Sequence, residues 1–216
     1  MMGDFVLVHS PLVGPSTWHA VAAELRSRGH RVDTPSLAGV FDGDGPYYPK
    51  LRDAIRGPGT IVVHSGAGAL VPATGVREQR AVFVDALLPH PGRSWFDTAP
   101  AELVARLRDL ATDGVLPPWH EWFPPGTVED LLPDRSTRAA FIAELPRLPL
   151  AYFTEPAPGA ASHAGPQHAA YLRLSDAYDE EAAQAAERGW PVERLDSHHL
   201  APLTDPVTVA DVLERL

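Results

Sequence analysis

The chain contains no cysteine. That excludes disulfides, zinc–thiolate sites and cysteine nucleophiles. It also has no apolar run approaching the ~18 residues that a membrane span needs. Its first residues, Met1-Met2-Gly3-Asp4-Phe5, lack the basic region and apolar stretch of a signal peptide, so a cytoplasmic location is expected. Basic residues are the minority, 18 Lys and Arg against 28 Asp and Glu, for a formal net charge of −10 and a pI near 5.4. An acidic surface repels phosphate backbones and anionic lipid, so neither nucleic acid nor a membrane surface is the expected partner. The Gly-Lys of a phosphate loop is missing, and Gly66-Ala67-Gly68 lacks the further glycine of a dinucleotide site. The histidines are dispersed, and the adjacent pair His198-His199 lacks a spacing that would place both on one metal ion. No cofactor and no metal are therefore expected. There is no internal repeat and no low-complexity tract.

What remains is an ordinary globular composition, 44% hydrophobic and 21% charged over 216 residues, long enough for one domain (1–216) with a sizeable core and too short for two. The 23 prolines cluster in the middle of the chain and at turns. Short apolar runs read as buried strands at residues 5–9, 31–34, 60–64, 81–84, 170–174 and 191–195. Between them, helical spacing appears over Trp18–Arg28 behind a cap-like Ser16, over Tyr48–Ile55, from Ala69 to about Thr74, and over Asp179–Arg188 before Gly189. Pro206 opens a last helix, Val207–Leu216. Strands alternating with helices imply an α/β fold, a mostly parallel sheet of about six strands with helices on both faces.

The alternation breaks at residues 89–168. Helical patches at Ala101–Leu110 and at Thr137–Leu145 after Asp134, with Trp95, Trp119, Trp122 and Phe123, read as a helical cap inserted over the carboxyl edge of the sheet. The stretch Pro156–His168 reads as loop.

One strand runs straight into Ser65-Gly66-Ala67-Gly68 and then a helix. A serine at a sharp strand-to-helix turn presents its hydroxyl to solvent, and the N–H groups that follow can stabilise an oxyanion. The tightness of the turn is why such serines sit in G-x-S-x-G. Here position −2 is Val63 and position +2 is Ala67, so the motif is degenerate while its strand–turn–helix context is right. The bland alternative is that Ser65 only caps a helix. Near the C-terminus, Asp196-Ser197-His198-His199 lies between the last strand and the last helix. With these features the chain resembles the α/β-hydrolase superfamily over nearly its whole length.

The resemblance implies a serine nucleophile at Ser65 and a base at a late histidine. His199 stands seven residues before Pro206, the spacing many members show, which favours it over His198. The acid is open among three aspartates. Asp85 is favoured because it ends an apolar strand at the carboxyl edge, where a carboxylate needs a partner; Asp179 and then Asp176 follow. The first oxyanion donor would be Gly66 N–H. The second normally comes from the loop after the first strand, His9-Ser10-Pro11-Leu12, where Pro11 has no N–H to give, so Leu12 is the expected donor or the hole is incomplete. His9 is expected to buttress that loop and His64 to pack beneath the turn. Pro11, Trp95, Trp119 and Trp122 are expected to contact substrate, at least two of the aromatics serving also as core.

The expected activity is hydrolysis of an ester or thioester through an acyl-Ser65 intermediate. The alternatives are an acyltransferase moving an acyl group from a thioester, such as one on a carrier protein, to an alcohol or amine; a lyase on the same fold; and a relic that only binds a ligand. A serine in place of an aspartate nucleophile argues against haloalkane dehalogenase and epoxide hydrolase chemistry.

Overall fold

The computed structural model describes residues 3–73, 80–158 and 168–216. The first half builds β1 (Asp4–Val8), α1 (Ser16–Ser27), β2 (Arg31–Asp33), α2 (Tyr47–Ala54), β3 (Thr60–Ser65), a 3-10 helix (Gly66–Ala73) and β4 (Arg80–Ala86). The middle holds α3 (Trp95–Thr98), α4 (Ala101–Leu110), β5 (Val115–Leu116), a 3-10 turn (Trp119–Trp122), α5 (Thr127–Leu131), α6 (Arg135–Ala143), β6 (Leu148–Pro149) and α7 (Leu150–Thr154). The chain closes with β7 (His168–Arg173), a 3-10 turn (Asp176–Tyr178), α8 (Asp179–Glu187), β8 (Val192–Arg194), α9 (Ala201–Thr204) and α10 (Pro206–Arg215).

Six strands pair in parallel in the order β2-β1-β3-β4-β7-β8. They are the six apolar runs of the sequence. Because side chains alternate along a strand, each run supplies both faces of the sheet. Phe5, Leu7, Val62, Val82, Val84, Ala170 and Leu172 pack with Trp18, Val21 and Leu25 of α1 and with Val209 and Leu213 of α10. Val6, Val8, Ile61, Val63, Phe83 and Tyr171 pack on the other face with Leu51 of α2 and Ala182 and Ala185 of α8. Each large apolar side chain so buried stabilises the fold by about 1.5–3 kcal/mol.

The order reverses between β1 and β3. The chain leaves β1 for β2 on one side, then crosses to β3 and works outward on the other. In open parallel sheets the crevice above such a reversal is where ligands bind, because the loops after the two strands part there. The loop after β1 and the turn after β3 are the two segments singled out in the sequence.

Three elements differ from expectation. α1 begins at Ser16 itself, with Pro15 before it and no side-chain cap. The carboxylate of Glu144 takes over, accepting from Ser16 N–H at 2.8 Å. The segment after Ser65 is a 3-10 helix from Gly66, and Pro72 within it has no N–H for an α-helical ladder; the expected end at Thr74 lies outside the described residues. Between β4 and β7 the helices are joined by an antiparallel ribbon of β5 and β6, two residues each and so too short to show a period. The expected loop at 156–168 lies mostly outside the described residues, and His168 already belongs to β7. Among the described residues no helix is long and apolar enough to cross a membrane.

Candidate active site

Ser65 ends β3 with φ at 55°, a left-handed conformation that costs a non-glycine residue about 1–3 kcal/mol. Its neighbours show why the turn closes. A Cβ at Gly66 would stand 3.2 Å from Ser10 Oγ, and one at Gly68 would stand 1.8 Å from the Leu87 carbonyl oxygen. The close approaches fall at +1 and +3, whereas Ala67 at +2 packs fully buried. The degenerate spelling of the motif therefore matches where this backbone is crowded. Leu87 N–H donates to Ser65 O at 3.0 Å and ties the turn to the end of β4.

Asp85 is strained in the same way, with φ at 40°. Along β3 and β4, His64 faces Val84 but Ser65 faces Ala86, so Asp85 is the extra residue of a bulge. The Tyr171 hydroxyl holds the next residue, donating to Ala86 O at 2.8 Å and accepting from Ala86 N–H at 3.0 Å. The bulge turns the Asp85 carboxylate inward to 0% exposure. There it accepts from Leu174 N–H (2.6 Å), Ser175 N–H (3.1 Å), Ser175 Oγ–H (2.6 Å) and His199 Nδ1–H (3.1 Å). Burial alone would raise its pKa; the bonds from His199, Ser175 and Leu174 outweigh it and hold the carboxyl below its usual value. A carboxylate on Nδ1 fixes the tautomer of His199 and leaves Nε2 bare as an acceptor.

The other two aspartates do not reach the imidazole. Asp176 and Asp179 both pair with Arg173, the latter at 2.7 Å, and their side chains are 89% and 55% exposed. Of the two adjacent histidines, His198 organises its own loop: Nδ1 accepts from Leu200 N–H at 3.2 Å, and Nε2 lies 3.1 Å from Thr204 Oγ1.

Two buried histidines support the site from behind. His64 Nε2–H donates to the His199 carbonyl at 2.9 Å, and its ring stacks on that of His199 at 4.4 Å between centroids. Burial, and then the charge of His199, press its pKa well down, so it is neutral. His9 Nδ1–H donates to Ser10 O at 2.8 Å while Nε2 accepts from Leu37 N–H at 3.1 Å, which braces the loop after β1.

That loop is where the oxyanion donors should converge. Gly66 and Leu12 both face the cavity, but Leu12 N–H is directed at Ser10 Oγ, 3.2 Å away. Pro11 is buried and does not figure among the described residues lining the cavity; its Cδ lies 3.7 Å from the place of a Gly66 Cβ. A turn closed by Val13 N–H on Ser10 O at 3.1 Å carries the proline.

Above Ser65 and His199 opens a cavity of about 810 Å³. Trp95, Trp119, Trp122 and Phe123 from the segment between β4 and β7 form its apolar wall, with Leu12, Leu88 and Leu103. Trp122 is also core, buried with its Nε1–H donating to Pro117 O at 2.8 Å. Trp95 and Trp119 are half-buried.

Two residues escaped the sequence reading. Ser175 gives Asp85 two of its four hydrogen bonds, and Tyr178 brings its hydroxyl to 3.3 Å from Ser65 Oγ. Among the described contacts, that is the hydrogen bond Ser65 Oγ makes; no bond to His199 Nε2 is formed. A single serine and a single tyrosine in a turn carry no spacing signal, and only the sheet order brings them to Ser65.

Neither a protein-family model nor a curated protein matches the sequence. Solved structures match its fold. An extracellular α/β-hydrolase from a Paenibacillus species superposes with a TM-score of 0.74 at 22% identity, over 98% of each chain. A pyrethroid hydrolase from Sphingobium faniae gives 0.69 at 19% identity, over 100% of this chain and 97% of that one. Methylketone synthase I of tomato gives 0.70 at 17%, again over 100% and 97%. The chain thus has the α/β-hydrolase fold. At these identities the likeness is one of fold, and a hydrolase and a methylketone synthase are named for different reactions.

Proposed function

We propose that the chain hydrolyses a carboxylic ester through an acyl-Ser65 intermediate. The observation that carries this reading is the Asp85–His199 pair, a fully buried carboxylate on Nδ1 of an imidazole that shares one cavity with a strained turn serine. In the reading, Ser65 Oγ attacks the ester carbonyl as its proton passes to His199 Nε2. The oxyanion forms against Gly66 N–H. Collapse breaks the bond to the leaving alcohol, which takes the proton from His199, and water then releases the acid by the same steps in reverse roles. A cavity of about 810 Å³ walled by tryptophans suits a bulky apolar ester. The pyrethroid hydrolase of the same fold is in keeping with an ester of that kind.

The test is covalent. The protein is treated with a fluorophosphonate, and the modified residue is mapped by mass spectrometry beside Ser65→Ala and His199→Ala. Labelling at Ser65, slowed strongly in His199→Ala, together with turnover of aryl esters, is the expected result. A folded protein that neither labels nor turns over an ester overturns the proposal in favour of a binding protein or of a reaction without an acyl-serine.

A further inference from the structure

We propose that the Tyr178 hydroxyl acts on the leaving-group oxygen as a hydrogen-bond donor beside His199. This rests on the ester reading. Three observations support it.

The first is contact. Tyr178 Oη lies 3.3 Å from Ser65 Oγ, and Tyr178 shares the cavity with Ser65 and His199. A separation of 3.3 Å is long for O–H···O, so the serine is held loosely and is free to turn toward His199 when substrate arrives.

The second is side. In the strand order β2-β1-β3-β4-β7-β8, Asp85 near the end of β4 and Tyr178 and His199 after β7 and β8 all lie on one flank of β3, and the Ser10–Val13 loop follows β1 on the other. In the ester reading the oxyanion forms against Gly66 N–H, and Gly66 adjoins that loop, with Ser10 Oγ 3.2 Å from the place of its Cβ. The leaving group departs on the flank of the base that protonates it. The phenol therefore meets the leaving oxygen and not the oxyanion.

The third is orientation. The Tyr178 ring lies parallel to the His199 ring, 4° between planes and 5.0 Å between centroids. The phenol is thus stacked on the imidazole while its hydroxyl reaches Ser65 Oγ, in the cavity that all three line. Burial raises the Tyr178 pKa, so the phenol keeps its proton and remains a donor.

The step balances without a new reactant. As the tetrahedral intermediate collapses, the bond from carbon to the leaving oxygen breaks and the carbonyl of acyl-Ser65 re-forms. The imidazolium proton of His199 goes to the leaving oxygen and gives the alcohol. Tyr178 donates a hydrogen bond to that oxygen as negative charge builds on it, and its own protonation does not change.

Such a donor matters most when the leaving group is a poor one. The experiment compares the protein with Tyr178→Phe, which keeps the ring on His199 and removes the hydroxyl, on acetate esters of p-nitrophenol, phenol and a simple alkyl alcohol. The expected loss in kcat/KM is ~10–10²-fold for the alkyl ester and within about threefold for the p-nitrophenyl ester, whose turnover also reports that the variant is folded. An equal loss on all three esters would reduce Tyr178 to a packing role for His199, and no loss on any would make it a bystander; either result overturns the assignment. Fluorophosphonate labelling of Ser65 in the unsubstituted protein separates the two claims. A flat series with labelling intact sinks only the role of Tyr178, whereas absent labelling and absent turnover sink the ester reading and this role with it.

Discussion

On the flank of Ser65 where β4, β7 and β8 end, one carboxylate accepts four hydrogen bonds, one imidazole is stacked by two rings, and the partners are drawn from β3 and from the ends of β7 and β8. On the flank where β1 ends, a four-residue turn carries a proline where a donor is wanted and commits the N–H of Leu12 to Ser10. In the proposed reaction the proton-handling half of the site is thus over-determined by the sheet, and the charge-stabilising half rests on Gly66 and one loop. In a site so divided, the rate should be limited by what stabilises the oxyanion. Losing one oxyanion donor costs an acyl-transfer site ~10²–10³-fold.

The largest effects should come from the well-built flank. Ser65→Ala and His199→Ala are each expected to lower kcat on an aryl ester by ~10⁴-fold or more, and Asp85→Asn by ~10⁴-fold. Asp176→Asn and Asp179→Asn should stay within about twofold, since their carboxylates pair on the surface with Arg173. Should Asp179→Asn fall as far as Asp85→Asn, the assignment of the acid is wrong and the contrast between flanks weakens.

The poorer flank offers a gain. Pro11→Ala supplies an N–H at the position where the fold's second donor usually stands, and turnover is expected to rise by ~10-fold or more at little change in KM. Steady-state kinetics on one ester suffices. An unchanged or lower kcat would mean that the loop already serves the oxyanion in another way.

Strain at the turn shared by the two flanks is the next target. Gly68→Ala brings a Cβ to 1.8 Å from the Leu87 carbonyl oxygen, and Leu87 N–H is itself bonded to Ser65 O. A stability loss of about 1–3 kcal/mol is expected from the urea midpoint. Ala67→Gly meets no such contact and should cost about 1 kcal/mol or less. Equal losses would remove crowding as the reason for the spelling Ser65-Gly66-Ala67-Gly68.

How much of this was legible follows from the same physics. All six strands could be read because buried parallel strands are written as short apolar runs between turn residues. Ser65 and His199 were picked out by context and order, and the structure brings both to one cavity. Asp85 could be preferred because a carboxylate ending an apolar strand demands partners, and the structure supplies four. The bulge that aims it, the ribbon of β5 and β6, and Tyr178 were not legible: each exists only through register or strand order, which no local pattern of residues encodes. The place of Pro11 was not legible for a related reason, since the direction a proline ring takes depends on the turn that carries it.

The smallest expected effect concerns pH, and it too distinguishes the flanks. His64 on the base side and His9 on the loop side are both buried, and burial lowers the pKa of each. In the unfolded chain both return toward 6.5. Below that value the unfolded state binds protons that the folded state refuses, so stability falls as pH drops from about 6.5 toward the depressed folded values. Each group contributes a slope of up to ~1.4 kcal/mol per pH unit. Asp85, whose folded pKa is lowered, contributes in the same direction at more acid pH: its stabilisation is present above the unfolded carboxyl value and is lost as pH falls through the folded one. Between pH 7 and pH 5 the histidines therefore dominate. Urea midpoints for the protein, His64→Gln and His9→Gln at these two pH values measure the share of each. His64→Gln is expected to remove the larger part of the pH dependence, because there the charge of His199 adds to burial and outweighs the opposing His199 carbonyl, whereas at His9 the strongest influence after burial is the Ser10 carbonyl, which opposes it. A larger share for His9 would place the tighter constraint on the loop after β1, and the contrast between a rigid base side and an adjustable oxyanion side would have to be reversed.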